Sequence, residues 1–159
     1  MIPFAAVNPA GTLLYLAAGE ITTYSIDATT GALTSVSNTG LQNEATGFAV
    51  NRTGSLAYAT DGASVYAYSV NNTTGALTQV AGSPFSTGGS VDLIFQDSQL
   101  IAFDQTDGYL YVANRFANNN ISAFSIDSST GALTRIAGTP VGVTTSINGR
   151  YTLVTVKIP

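Results

Sequence analysis

The sequence predicts an all-β chain assembled from repeated four-stranded antiparallel units, and three observations predict it. One phrase recurs three times, as Tyr24-Ser-Ile-Asp-Ala-Thr-Thr-Gly-Ala-Leu-Thr34, Tyr68-Ser-Val-Asn-Asn-Thr-Thr-Gly-Ala-Leu-Thr78 and Phe124-Ser-Ile-Asp-Ser-Ser-Thr-Gly-Ala-Leu-Thr134. A fixed phrase returning at a spacing of roughly 20–50 residues marks a repeat architecture. Around each copy lie short runs rich in β-branched and aromatic residues, punctuated by Asn, Asp, Gly and Pro. No stretch carries helical periodicity.

Each unit holds four such runs, A to D. In the first they are Phe4–Val7, Leu13–Leu16, Ile21–Ile26 and Leu33–Val36; in the second Phe48–Val50, Leu56–Ala59, Val65–Val70 and Leu77–Val80. The third gives Leu100–Phe103, Tyr109–Ala113, Ile121–Ile126 and Leu133–Ile136. Turn phrases separate A from B: Asn8-Pro-Ala-Gly11, Asn51-Arg-Thr-Gly54 and Asp104-Gln-Thr-Asp-Gly108. Asx side chains bond nearby backbone amides and Gly accepts positive φ, so these phrases favour tight turns. The Asp/Asn-x-Ser/Thr-Thr-Gly phrase does the same between C and D. A further unit begins at Thr144–Ile147, turns at the hairpin-forming Asn148-Gly149 and runs from Tyr151 to Val156. About fourteen strands are expected.

Four-stranded antiparallel units of about 40–45 residues are what a β-propeller blade requires. The expected layout is a single partial β-propeller domain over residues 1–159. Blade 1 runs from about 4 to 47, blade 2 from 48 to 92 and blade 3 from 93 to 143, with an A–B hairpin of a fourth over 144–159. Leu110-Tyr-Val-Ala-Asn114, the Tyr/Phe-Ser-Ile-Asp strands, and Thr-Gly-Ala-Leu-Thr followed by Val80-Ala-Gly-Ser-Pro-Phe85 or Ile136-Ala-Gly-Thr-Pro140 carry a resemblance. The chain resembles the lactonase, or 6-phosphogluconolactonase-like, family and the related YVTN-type propellers. That resemblance implies seven blades in a complete ring, of which this chain supplies about half. It also implies lactone chemistry around the central channel, carried by Arg, Glu or His.

An open propeller leaves two blade faces uncovered, as apolar patches that soluble monomers avoid. A homodimer or other homo-oligomer is therefore the expected partner arrangement. Composition narrows the remaining partners. Charged residues are only 9% of the chain, with Lys and Arg at 5 against Asp and Glu at 9. Without a basic stripe, phosphate neutralisation on nucleic acid is excluded as a driving force. No apolar run approaches the roughly 18 residues of a membrane span. The start, Met1-Ile-Pro-Phe-Ala-Ala-Val7, lacks a basic n-region and is expected to form strand rather than signal peptide. Asn51, Asn71, Asn72 and Asn120 head N-glycosylation patterns, a slight lean towards an exported or cell-surface protein over a cytoplasmic one.

The repeats differ in one place. Gly31, Gly75 and Gly131 mark one turn, and the second interval is longer than the first. The excess falls in the D-to-A connection, Ser83 to Gln99, and in the B-to-C loop, Asn114 to Asn120. Both connections emerge on one rim, where loops on a rigid scaffold collect binding residues. That rim offers Arg115, Phe116, Asn118, Asn119 and Asn120, with Asp92, Phe95 and Asp97 opposite. Arg beside an aromatic can take a carboxylate or phosphate while packing a sugar face. A solvated Arg115 and an insertion packed on the blade edge account for these residues with fewer assumptions.

Catalytic resources are thin. Histidine and cysteine are absent, Lys157 is the only lysine, and Glu20 and Glu44 are the only glutamates. No activated nucleophile is visible, and no catalytic residue can be named. No cofactor or metal is expected: Asp27, Asn71 and Asp127 share a turn position and are read as caps, and Asp104 with Asp107 lacks a third carboxylate. A non-catalytic scaffold or interaction module completed by self-association is the favoured function. A lactonase-like hydrolase of sugar lactones and a glycan- or sugar-binding propeller are the alternatives.

Overall fold

The computed structural model describes residues 4–41, 44–61, 63–88, 101–114 and 120–142. The expected hairpin over 144–159 lies outside them. Every element in the described residues is a β-strand, and the strands form three antiparallel sheets. The first sheet orders β1 (Phe4–Val7), β2 (Leu13–Ala17), β3 (Glu20–Ile26) and β4 (Leu33–Gly40). The second orders β5 (Gly47–Val50), β6 (Leu56–Thr60), β7 (Ser64–Val70) and β8 (Leu77–Gln79), and β9 (Phe85–Ser86) also pairs with β7. The third orders β10 (Ile101–Phe103), β11 (Tyr109–Asn114), β12 (Asn120–Ile126) and β13 (Leu133–Arg135), with β14 (Val141–Gly142) on β12.

The expected fourteen strands and the fourteen observed are therefore not the same set. In the second and third sheets the outer D strand is split in two, whereas β4 is continuous and runs past the expected Val36. The cause is local sequence. In the first sheet, Ser35 pairs with Tyr24 and Ser37 with Thr23, so Val36 forms a one-residue bulge. Ala-Gly-Ser-Pro84 and Ala-Gly-Thr-Pro140 enlarge that bulge into a loop, with cis bonds at Ser83-Pro84 and Thr139-Pro140. The Val80 amide still bonds Ala67 (2.9 Å), and the Ser83 hydroxyl accepts from the Ala67 amide at 3.0 Å. The strand leaves and rejoins its neighbour without orphaning that amide.

The A–B and C–D turns behave as caps. Asn8 Oδ1 accepts from the amides of Thr12 and Leu13 at 2.9 and 3.0 Å. Asn51 Oδ1 accepts from Leu56 at 3.0 Å, and Asp104 Oδ1 from Tyr109 at 2.8 Å. In the third A–B turn the left-handed position belongs to Asp107 (φ 59), not to the expected Gly108. Two of the Asn-x-Ser/Thr asparagines, Asn51 and Asn120, are buried, and Asn71 caps its own turn through Oδ1. Asn72 is exposed.

The sheets stack face to face. Leu13, Tyr15 and Ile21 of the first pack against Phe48, Ala57, Ala59 and Tyr68 of the second. Tyr58, Val65 and Ala67 of the second pack against Ile101, Leu110, Val112 and Phe124 of the third. Each junction carries one aromatic pair, Tyr15–Phe48 (5.5 Å between centroids) and Tyr58–Phe103 (5.4 Å, edge-on). We call the face that meets the preceding sheet the leading face, and the other the trailing face. The second sheet is apolar on both, as a sandwiched sheet must be.

Between sheets, the C–D turn of one seats on its predecessor. A Cβ at Gly75 would stand 2.8 Å from Thr23 Cγ2 and 3.0 Å from Val36 Cγ2, and one at Gly131 would stand 2.6 Å from Leu56 Cδ2. Tyr58 Oη donates to the Gly131 carbonyl at 2.8 Å. A second link joins the A–B turns: Asp107 Oδ2 accepts from the Arg52 amide at 2.9 Å, and the Arg52 guanidinium bonds the Gln105 carbonyl. Burial, with the Asp107 charge beside it, pushes the Tyr58 hydroxyl pKa well above its ordinary value.

Gly31 and Gly75 share a left-handed backbone (φ 71 and 72), yet Gly31 has open space where a Cβ would stand. Alanine at either position adds strain of roughly 1–2 kcal/mol. Only at Gly75 must Thr23 and Val36 also move. In urea unfolding Gly75→Ala is expected to lose clearly more stability than that strain; a loss no larger than the strain alone would remove Gly75 from the inter-sheet seat.

Candidate functional site

The rim carrying the B–C and D–A connections is where the sequence directs attention. Arg115, Phe116, Asn118, Asn119, Asp92, Phe95 and Asp97 all lie outside the described residues. Asn120 is described, and it is buried at the start of β12.

The described part of the rim is a set of buried polar side chains. Asn114, at the end of β11, donates through Nδ2 to Asn120 Oδ1 (2.6 Å) and to Ser122 Oγ (2.7 Å). Ser122 Oγ donates to the Thr87 carbonyl at 2.6 Å, tying the third sheet to the second. Thr87 in turn bonds the Ala63 carbonyl through its amide and hydroxyl (2.9 and 2.8 Å). Asp61 occupies the second-sheet position equivalent to Asn114. Its Oδ1 accepts from the amides of Ala63 and Ser64 (3.0 and 2.8 Å), and its Oδ2 from Tyr66 Oη at 3.2 Å. Thr46 bonds the Thr60 carbonyl through its amide and its hydroxyl (2.6 and 3.0 Å).

Sequence reasoning missed Asp61 and Ser122. Their signal was present: a polar residue closing an apolar B strand, as in Leu56-Ala-Tyr-Ala-Thr-Asp61 and Tyr109-Leu-Tyr-Val-Ala-Asn114. The first sheet has Ala18 at that place. Chemically the cluster anchors loops. The Ser122 hydroxyl is spent on a carbonyl, and among the described residues no base bonds it. Asn114 Oδ1 is the one atom of the Asn114–Asn120–Ser122 cluster that is buried without a partner.

The remaining candidate carboxylates are caps. Asp27 Oδ1 accepts from the Thr29 and Thr30 amides and the Thr30 hydroxyl, and Asp127 Oδ1 from the Ser129 and Thr130 amides and the Ser129 hydroxyl. Those bonds lower the Asp27 carboxyl, Thr30 first, and bring Asp127 to about 2, with the Ser129 hydroxyl the largest cause. For Asp104, partial burial raises the carboxyl, but the bonds from Thr106, Tyr109 and Gly108 outweigh it and the net shift is downward. Among the described residues, no group of three His, Cys, Asp or Glu is placed to hold a metal ion, and no helix is long and apolar enough to cross a membrane.

Solved structures share this architecture. The chain superposes on the putative 6-phosphogluconolactonase of Bacteroides fragilis with a TM-score of 0.69 at 24% identity, over 85% of this chain and 38% of that one. For the periplasmic gluconolactonase of Pseudomonas aeruginosa the TM-score is 0.70 at 17% identity, over 88% and 40%. The β-propeller domain of Myceliophteria thermophila Cps50 gives 0.56 at 15%, over 87% and 44%. No protein-family model matches the sequence, and no curated protein matches it. These likenesses establish the fold: the three sheets are blades of a β-propeller, similar to lactonase-type propellers. The chain spans less than half the length of the solved chains it matches.

Asp127 provides a test of the capping assignment. Its carboxyl is depressed from the ordinary 3.8 to about 2, so its contribution is fully present above the ordinary value and is lost as pH falls through about 2. Asp127→Asn keeps the acceptor, as Asn71 does, and does not titrate. The Tm advantage of wild type over the variant is expected to shrink between about pH 4 and about pH 2. An advantage that grows on acidification would overturn the assignment.

Proposed function

We propose that the chain is a non-catalytic β-propeller scaffold that works by presenting blade surfaces for assembly, and that it self-associates. One observation carries this. The leading face of the first blade is as apolar as its buried counterparts, with Leu14, Leu16, Tyr24 and Ile26 half-buried and Val7 and Leu33 exposed. Faces of that kind on a soluble protein mark interaction surfaces. The polar groups support the same reading, because Asp27, Asp61, Asp104 and Asp127 are all engaged in closing turns or strand ends.

A lactonase-type activity is the second reading, favoured by two of the similar structures, the putative 6-phosphogluconolactonase and the periplasmic gluconolactonase. Such an enzyme would stabilise an oxyanion and activate water without histidine, using Arg115 as cation and Asp92 or Asp97 as base. A sugar or glycan held by the same rim residues is the related binding reading.

Incubated with sugar lactones, the protein is expected to give no turnover above the buffer rate. A rate well above buffer that disappears in Arg115→Ala would replace the scaffold with a lactonase. Retention on a glycan array through Arg115 and Phe116 would favour the binding module instead.

A further inference from the structure

Each blade carries a C–D turn, and among the described residues only two of the three turns are seated on a neighbouring blade. Gly131 is wedged against Leu56 and Val80 and accepts the Tyr58 hydroxyl; Gly75 is wedged against Thr23, Val36 and Leu13. Gly31, at the same position of the first blade, meets nothing within 4 Å. The leucine two residues on follows suit: Leu133 is 6% exposed in its junction, whereas Leu33 is 51% exposed.

The complementary half is open at the other end. Leu13, Leu56 and Tyr109 occupy one register position, opposite Ser25, Ser69 and Ser125. Leu13 and Leu56 are the side chains that receive the Gly75 and Gly131 turns. Leu13 is 3% exposed in that role, but Tyr109 is 44% exposed. Among the described residues, the first blade thus presents a turn without a seat, and the third presents a seat without a turn, at the same register.

Resting on the self-association proposed above, we infer that two copies meet head to tail. The leading face of the first blade, at Gly31 and Leu33, receives the trailing side of the third blade of a second copy, at Tyr109. The contact continues the blade-to-blade interface that the chain already builds twice within itself. Length favours a second copy as the occupant: 85% of this chain matches 38% of the Bacteroides fragilis chain, so two copies amount to about one such chain. The contact is heterologous, and two of them close a ring when the rotation permits.

The protein has no cysteine, so introduced thiols report on this contact alone. Leu33 and Tyr109 are both exposed, and replacing them leaves the core untouched. A short bismaleimide is expected to convert Leu33→Cys/Tyr109→Cys into covalent dimers while leaving each single variant monomeric on a denaturing gel. Val7→Lys/Leu33→Asp is expected to drop the mass by light scattering from two chains to one, with an unchanged far-UV spectrum. A wild-type mass of one chain would overturn both this contact and the self-association beneath it. A wild-type dimer whose double-cysteine variant fails to cross-link, or whose Leu33→Cys variant cross-links by itself, would overturn the head-to-tail contact and leave self-association standing.

Discussion

The seating of one blade's C–D turn on the trailing face of its predecessor is the constraint on which the stack depends. An Asx side chain gathers the amides of the turn, a glycine takes the left-handed corner, and the absence of a Cβ lets the backbone approach the neighbour. Without that approach the Tyr58 hydroxyl would not reach the Gly131 carbonyl. The aromatic pairs Tyr15–Phe48 and Tyr58–Phe103 sit in the same two junctions, so turn and ring are held by one set of contacts. Each blade is a four-stranded sheet too thin to bury its own faces, and its stability comes from its neighbours.

That dependence shapes what the polar residues are free to do. Low charge is tolerable because most acidic groups in the described residues serve the backbone. Asp27 and Asp127 hold turns, Asp104 closes a strand pair, and Asp61 collects the amides of the following loop. The Asn114–Ser122–Thr87 chain of hydrogen bonds ties two blades together where loops diverge. A rim built this way is a rigid base for whatever the longer connections carry.

Most of the fold was legible because a repeat exposes its own rules. Short runs rich in β-branched and aromatic residues, Asx-Gly turns and a phrase repeated three times give the A, B and C strands of each unit close to their observed positions. Two details were not legible. The outer strand is split by Ala-Gly-Ser-Pro84 and Ala-Gly-Thr-Pro140, because two added residues turn a single bulge into a hydrogen-bonded loop. The left-handed position fell to Asp107 rather than Gly108, because the register of Tyr109 with Asp104 fixes the turn one residue earlier. At the rim, the insertions were located by spacing, while the buried roles of Ser122 in the third blade and Asp61 in the second were not, since which polar side chain reaches which neighbour depends on how the strands and blades come together.

By itself the sequence determined the class of fold, the strand runs and the caps, since these depend on local periodicity and on side chains bonding their own backbone. Only the tertiary structure decided which faces are covered. Leu33 and Leu133 stand in nearly identical phrases, and nothing local distinguishes them. One is exposed and the other buried because a preceding blade stands against the third sheet and, among the described residues, none stands against the first, a fact that belongs to the stacking of sheets and not to any stretch of chain.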